Sequence, residues 1–316
     1  MAQNDKISVT QLNSKTKVLG MGTILVDHMI VLDRTISIGE KHEVQTSSYQ
    51  VGGPVPTGLA LLKKYNIDCH FFGTWGFDNH GQFIQSHLDK LKIHSTRSRR
   101  KYDVETGFAH VWVDKETGDR TVSAYRGNSE PSVNLIKEFH SDTNHVLYLD
   151  GWPSKQSIEA GALARSNNWP VFMDLGSPKP NLNEVIRSAT WLNCPKSFLK
   201  RAWGIENIKE GAEKILSIGP EEVTITDGEN GAWFYSGSKS FHQPAANIKA
   251  VDTNGAGDVF SATTLFSRIR GQSPEEMMKF ASTVAGLKCL KNGNVKAIPN
   301  LDIACRMMQK FPDINS

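Results

Sequence analysis

The sequence predicts an α/β fold with a mostly parallel central sheet covered by helices on both faces. Two observations carry this expectation. Apolar runs of strand length alternate with longer stretches of helical spacing along most of the chain, the rhythm of consecutive β-α-β units. The runs are apolar throughout rather than alternating, as expected for strands buried on both sides. Val18–Val26 reads as the opening strand and Pro54–Tyr65 as a helix, its proline placed near the start, where a missing N–H is harmless. Cys69–Gly73 reads as a short strand and Gln82–Leu91 as a helix, followed by a strand at His145–Leu149 and a helix at Lys155–Ser166. Val171–Asp174, Trp191–Asn193 and Val223–Thr226 are further buried strands. There is no internal repeat or linker, so residues 16–312 are expected to form one domain, behind a polar, flexible extension over residues 1–15.

Two stretches break the rhythm. Ile30–Tyr49 and Phe108–Tyr125 show no helical spacing. The second reads as a hairpin, with strands Ala109–Asp114 and Arg120–Tyr125 joined by a turn at Lys115–Asp119, because β-branched residues alternate on either side of a glycine-containing turn.

Composition narrows the class. At 316 residues with 39% hydrophobic content and a net charge of +3, the chain can bury a substantial core and carries no basic run suited to nucleic acid or an anionic membrane. No segment has the length and apolarity of a membrane span. Four scattered cysteines (Cys69, Cys194, Cys289, Cys305) show no C-x-x-C spacing, which reads as a reduced, cytoplasmic protein without a zinc site. The ten histidines show no metal-ligand spacing either.

The chemistry concentrates in Asp252-Thr-Asn-Gly-Ala-Gly-Asp258, followed at once by the helical apolar pattern Val259, Phe260, Ala262, Leu265, Phe266 and Ile269. The amides of Gly255, Ala256 and Gly257 are expected at a helix N-terminus, where unpaired donors and the helix dipole form an anion hole. A carboxylate at Asp258 inside that hole suits accepting the proton of a hydroxyl that attacks a bound phosphoryl group; on local sequence alone the alternative is an ordinary strand–turn–helix corner with Asp258 as a cap. Asp27, after an apolar strand, falls where α/β sheets hold ligands. Gly20-Met-Gly22 lacks the third glycine of a dinucleotide fingerprint, since position 25 is Leu, and no P-loop is present.

These residues resemble the PfkB (ribokinase-like) family of sugar and nucleoside kinases. The seven-residue segment is similar to that family's D-T-x-G-A-G-D signature, and Gly20–Asp27, Gly52-Gly53, Gly73–Gly81 and Thr226–Gly231 resemble its other motifs in the same order. The resemblance implies a ribokinase-like three-layer sandwich with a small β-sheet lid, formed by segments at about 30–50 and 108–126. It implies sugar contacts at Asp27, Gly52, Gly53 and the position of Thr57. It places nucleotide at Asn193, Lys196, Thr226, Gly228 and Gly231, and allows a monovalent cation such as K+ at Asp252. Two positions depart from the pattern. Thr57 stands where many members have Asn, which together with Gly52-Gly53-Pro54 is closer to the ketohexokinase and sulfofructose-kinase branch. Lys196 stands where the family's N-x-x-E motif has a glutamate that organises magnesium.

The expected function is therefore ATP- and Mg2+-dependent phosphorylation of a small carbohydrate, a ketose or related sugar, by a homodimer paired through the lid, with no nucleic-acid or membrane partner. A nucleoside kinase of the same fold and a catalytically silent sugar-binding scaffold are the alternatives. Trp112 and Tyr125 keep the first open, and the lysine at position 196 the second.

Overall fold

The computed structural model describes residues 12–34, 36–95, 98–116, 120–131, 133–139 and 144–313. In chain order the elements are β1 (Lys17–Met21), β2 (Leu25–Leu32), β3 (Val44–Gly52), α1 (Pro54–Lys64), β4 (Asp68–Phe71), β5 (Thr74–Gly76), α2 (Asn79–Lys90), β6 (Arg99–Lys101), β7 (Thr106–Asp114), β8 (Arg120–Gly127) and α3 (Asn134–Lys137). They continue as β9 (His145–Leu149), α4 (Ser154–Ser166), β10 (Val171–Asp174), α5 (Leu182–Arg187), β11 (Trp191–Pro195), α6 (Lys196–Trp203), α7 (Ile208–Ile218), β12 (Glu222–Thr226), β13 (Ala232–Ser236), β14 (Ser240–Gln243), α8 (Ala256–Ile269), α9 (Pro274–Cys289) and α10 (Leu301–Met308).

An eight-stranded sheet in the order β14-β13-β12-β11-β10-β9-β1-β4 forms the centre. The six strands from β12 to β4 run parallel, and β13 and β14 close one edge antiparallel. Side chains alternate between the two faces although nearly all are apolar. Val18, Val146, Tyr148 and Phe172 pack with residues of α1, α8 and α9 in one core. Leu19, Leu147, Leu149, Met173 and Leu192 pack with residues of α4 to α7 in the other. This is the expected three-layer arrangement, with helices over both faces of the sheet.

A second sheet, ordered β3-β2-β7-β8, projects from this body. The first strand of the expected pattern is in fact two. Val18–Val26 breaks over Gly22–Ile24, and the chain leaves the central sheet at Met21 to enter the lid at Leu25. The cause is Asp150, just beyond β9. Its Oδ2 accepts a hydrogen bond from the Thr23 N–H at 2.8 Å, and a Cβ at Gly22 would meet its carboxylate at 2.8 Å. Asp27 is therefore the third residue of a lid strand, not the end of a central one, and the lid starts at Leu25 rather than near residue 30.

The remaining boundaries lie within a few residues of expectation. The hairpin forms as β7 and β8, while its turn residues 117–119 fall outside the described residues. The flexibility expected for residues 1–15 falls largely outside them too, and Leu12 packs against the core.

The motif Gly73–Gly81 fastens the lid to the body. Asp78 caps α2, accepting from the Gly81 N–H at 2.7 Å, and its other oxygen accepts from the Thr106 N–H at 2.8 Å where β7 begins. Among the described residues no helix is long and apolar enough to cross a membrane.

Candidate active site

The turn before α8 stands at the carboxyl edge of the parallel strands. Gly255 precedes the helix in a left-handed conformation, φ 74°, and Asp258 lies in the first turn. A Cβ at Gly255 would collide with the Asn294 side chain, whereas one at Gly257 would meet nothing within 4 Å. The Ala256 N–H folds back onto the Thr253 carbonyl at 3.1 Å. The Gly255 and Gly257 amides are thus the better placed of the three expected donors to meet an anion at this helix start.

Behind the turn is a cavity of about 480 Å3 lined by Thr226, Gly228, Gly231, Thr253, Ala256 and Gly257, with Ile248, Phe260 and Ala285 among its apolar walls. Gly228 and Gly231 both adopt positive φ, 57° and 89°, which side chains with a Cβ rarely accept. The cavity joins the glycine turn to an apolar slot of a size that suits a nucleotide. Lys196, at the start of α6, forms an ion pair with Asp227 of the same loop at 3.0 Å. Asn193 is buried beneath the site, its Nδ2 donating to Thr264 Oγ1 of α8 at 3.1 Å. It lies under the cavity rather than on its wall.

On the other side of the turn, four carboxylates converge. Asp27 lies under Gly52, where a Cβ would overlap its carboxylate. Gly53, φ 115°, lets the start of α1 pass the Thr23 carbonyl, with which a Cβ would collide. Burial raises Asp27 to about 6, against the opposing influence of a Gln50 hydrogen bond and the Arg120 charge. Asp258 is likewise raised to about 6, by burial first and then by the charges of Asp150 and Asp27, while Arg120 and Lys288 oppose the shift. Asp174, at the end of β10, is held well above the usual carboxylate range by burial and by Asp258. The Tyr148 hydroxyl donates to it at 3.4 Å. Asp150 is raised by burial, with Lys179 opposing.

Sequence reasoning missed Asp150, Asp174, Arg120, Lys288 and Asn294. The two aspartates carried the signal used for Asp27, an acid closing an apolar strand. The other three are brought in only by the fold. Arg120 reaches from lid strand β8 to the Asn254 side chain of the turn. Asn294 donates to Thr57 Oγ1 at 3.0 Å, so Thr57, 1% exposed, links α1 to the turn instead of facing the open site.

Two cation questions follow. Asn193 Oδ1 is buried without a hydrogen-bond partner and its strand position pairs with Asp174. Together with the carboxylates it offers the hard oxygen donors that Mg2+ prefers. At Asp252 the residues do not fit a monovalent cation. The Lys288 ammonium donates to the Asp252 carbonyl at 2.8 Å and lies 3.8 Å from its carboxylate. Far from this edge, at the start of β4, Asp68 Oδ1 lies 3.6 Å from His70 Nε2 and 3.3 Å from His94 Nε2. The fold thus gathers two histidines whose sequence spacing showed no metal-ligand pattern.

The sequence profile of the pfkB family carbohydrate kinase matches residues 15–301. The chain belongs to this family. A ribokinase of Arabidopsis thaliana is 25% identical over 305 residues, covering 92% of this chain and 80% of that protein. A 5-dehydro-2-deoxygluconokinase of Listeria monocytogenes is 25% identical over 298 residues, covering 82% and 87%. In solved structures the fold matches Arabidopsis thaliana ribokinase complexed with ribose and ATP, with a TM-score of 0.79 at 23% identity over 93% of this chain and 99% of that one. It also matches a Methanocaldococcus jannaschii nucleoside kinase, with a TM-score of 0.77 at 19% identity over 94% and 99%. Relatives of this chain thus bear the names of different sugar kinases.

The raised carboxylates make a stability prediction. Asp258 binds its proton more tightly folded, at about 6, than in an unfolded chain with its ordinary value of 3.8. Its contribution to stability is therefore full at low pH and is lost as pH rises through 6. Asp258→Asn, which removes the charge, is expected to raise Tm relative to the parent at pH 7.5 and to leave it nearly unchanged at pH 4. Thermal unfolding followed by circular dichroism across that range measures the difference. A constant offset at every pH would exclude the carboxylate as the source.

Proposed function

We propose that this pfkB family member is an ATP-dependent kinase that phosphorylates a hydroxyl of a small carbohydrate, a ketose or related sugar, with Asp258 as general base. The observation that carries the reading is the place of Asp258. It stands in the first turn of α8, between the nucleotide-sized cavity and the Asp27 side of the cleft, with its carboxyl poised at about 6. Such a base is largely ionised at neutral pH and still accepts a hydroxyl proton as charge develops.

In this reading the nucleotide lies along Thr226, Gly228 and Gly231, with its terminal phosphate at the Gly255–Gly257 amides. The sugar lies under the lid, oriented by Asp27 and the backbone at Gly52-Gly53. Mg2+ held near Asn193 and Asp174 would neutralise phosphate charge when bound with the nucleotide. Transfer itself asks the chain for positioning and charge neutralisation, and for Asp258 to take the proton. The four free cysteines, three of them buried, suit a reducing, cytoplasmic setting.

Asp258→Asn is expected to lower kcat by on the order of a hundredfold or more while nucleotide affinity changes little. In the parent, kcat/KM should fall about tenfold per unit as pH drops below 6, where the base is protonated. The assay is ADP release over a panel of ketoses, aldoses and nucleosides. An Asn variant with near-parental turnover removes Asp258 from the chemistry, and a strong preference for nucleosides replaces the sugar with a nucleoside.

Lys196 neutralises Asp227 beside the cavity, and we assign its ammonium a role in balancing nucleotide phosphate charge. Lys196→Ala leaves the Asp227 carboxylate without its cation, with the Asn230 side-chain amide still donating to it, and is expected to weaken ATP binding several-fold, on the order of what one partly exposed ion pair contributes. Magnesium titrations of parent, Lys196→Ala and Lys196→Glu that superimpose would end this assignment.

The lid presents exposed apolar residues, Tyr49, Val122 and Tyr125 among them, and we propose that it pairs with the lid of a second copy. Sedimentation velocity should show a dimer that Val122→Lys dissociates. A monomer at all concentrations would count against lid pairing.

A further inference from the structure

Lys288 is a lysine in an unusual place. It lies one residue before the end of α9, is 0% exposed, and no step assigned above uses it. Burying an ammonium is costly unless it is paired and hydrogen-bonded. Here it donates to the Asp252 carbonyl at 2.8 Å and faces the Asp252 carboxylate at 3.8 Å. The carboxylate's two oxygens are themselves bonded to backbone, Oδ1 to the Asn254 N–H at 2.7 Å and Oδ2 to the Gly293 N–H at 2.8 Å. The Val251 and Asp252 amides both donate to the carbonyl of Cys289, the next residue. Gly293 leads directly to Asn294, whose side chain lies against Gly255.

The ammonium is thus the charged centre of a short chain of contacts that shapes the anion-binding turn. A carbonyl and a carboxylate converging on one buried point are the ligands a monovalent cation takes. The point is already filled by a cation tethered to α9. Its charge also acts on Asp258, opposing the rise in that carboxyl's proton affinity.

We propose that the Lys288 ammonium replaces a dissociable monovalent cation at the Asp252 loop, so that this enzyme holds its anion-binding turn in order without potassium. Lys288 is a positioning residue in this account. It acts through the Asp252 loop and touches neither phosphate nor sugar. The inference rests on the kinase reading only for the nature of the anion at the turn.

The test compares KCl with tetramethylammonium chloride at equal ionic strength, for the full-length parent and for Lys288→Met. Three readouts are taken, the Kd for MgADP by calorimetry, Tm, and kcat/KM on whichever panel sugar is turned over. The parent is expected to change by less than about twofold between the two salts in Kd and kcat/KM, and not at all in Tm, because its cation is covalently present. Lys288→Met leaves the Asp252 loop without its buried partner and is expected to bind MgADP about tenfold or more weakly. Potassium, but not tetramethylammonium, should restore part of that loss.

A parent whose nucleotide affinity or Tm rises clearly in potassium would overturn the proposal. So would a Lys288→Met protein that binds MgADP as the parent does. If Lys288→Met does not fold, the parent's response to the two salts still decides, and Lys288→Arg supplies a variant that keeps the charge. Absence of turnover with every sugar, alongside MgADP binding that ignores potassium, would fail the substrate assignment and leave this inference standing.

Discussion

Four carboxylates, Asp27, Asp150, Asp174 and Asp258, are buried together beyond one edge of the parallel sheet, and their burial is the constraint that the surrounding residues answer. Left alone, such a cluster would hold its protons and lose its charge. The fold answers each acid differently. Asp150 is held by two backbone amides, those of Thr23 and Trp152, with Lys179 opposing the effect of its burial. Asp174 is left at high proton affinity against the Tyr148 hydroxyl. Asp27 and Asp258 are held near 6, with Arg120 opposing the shift at both. Asp27 and Asp258 thus share one range of proton affinity, below that of Asp174.

The same edge is joined by close backbone approaches that only glycine permits. Gly52 makes room for Asp27, and Gly255 for Asn294. Asn294 then reaches Thr57 on α1, directly after the Gly52-Gly53 pair. The Gly52-Gly53 side and the Gly255 side of the cleft therefore share one buried side chain, and a change in either backbone is felt by the other through close packing rather than through solvent.

The sheet core was legible in the sequence because its strands are short and wholly apolar and its helices amphipathic. His145–Leu149 and Val171–Asp174 lie where the hydrophobic runs place them. The strand across Val18–Val26 was misread because nothing local marks the break. The chain turns there to meet Asp150, which lies over a hundred residues further on. Asp258, its glycine turn and Asp27 were legible as a motif. Lys288 and Arg120 were not, because a lysine or arginine in a helix or strand ordinarily signals a solvated face, and only long-range packing buries the one and aims the other. The pairing of Lys196 with Asp227 was hidden in the same way, since parallel strands β11 and β12 must first bring the two loops side by side.

Arg120 shows why the lid is more than a cover. It comes from strand β8, bonds to Asn254 within the glycine turn, and lowers the proton affinity of both Asp27 and Asp258. Coulomb effects between such groups grow steeply as water is excluded. The lid therefore supplies, through Arg120, a positive charge that opposes the rise in proton affinity of the buried Asp258. The lid and the D-T-x-G-A-G-D segment are separate in sequence, and the protonation state of Asp258 depends on both. This ties the chemistry at the sheet edge to the register of a hairpin more than a hundred residues earlier in the chain.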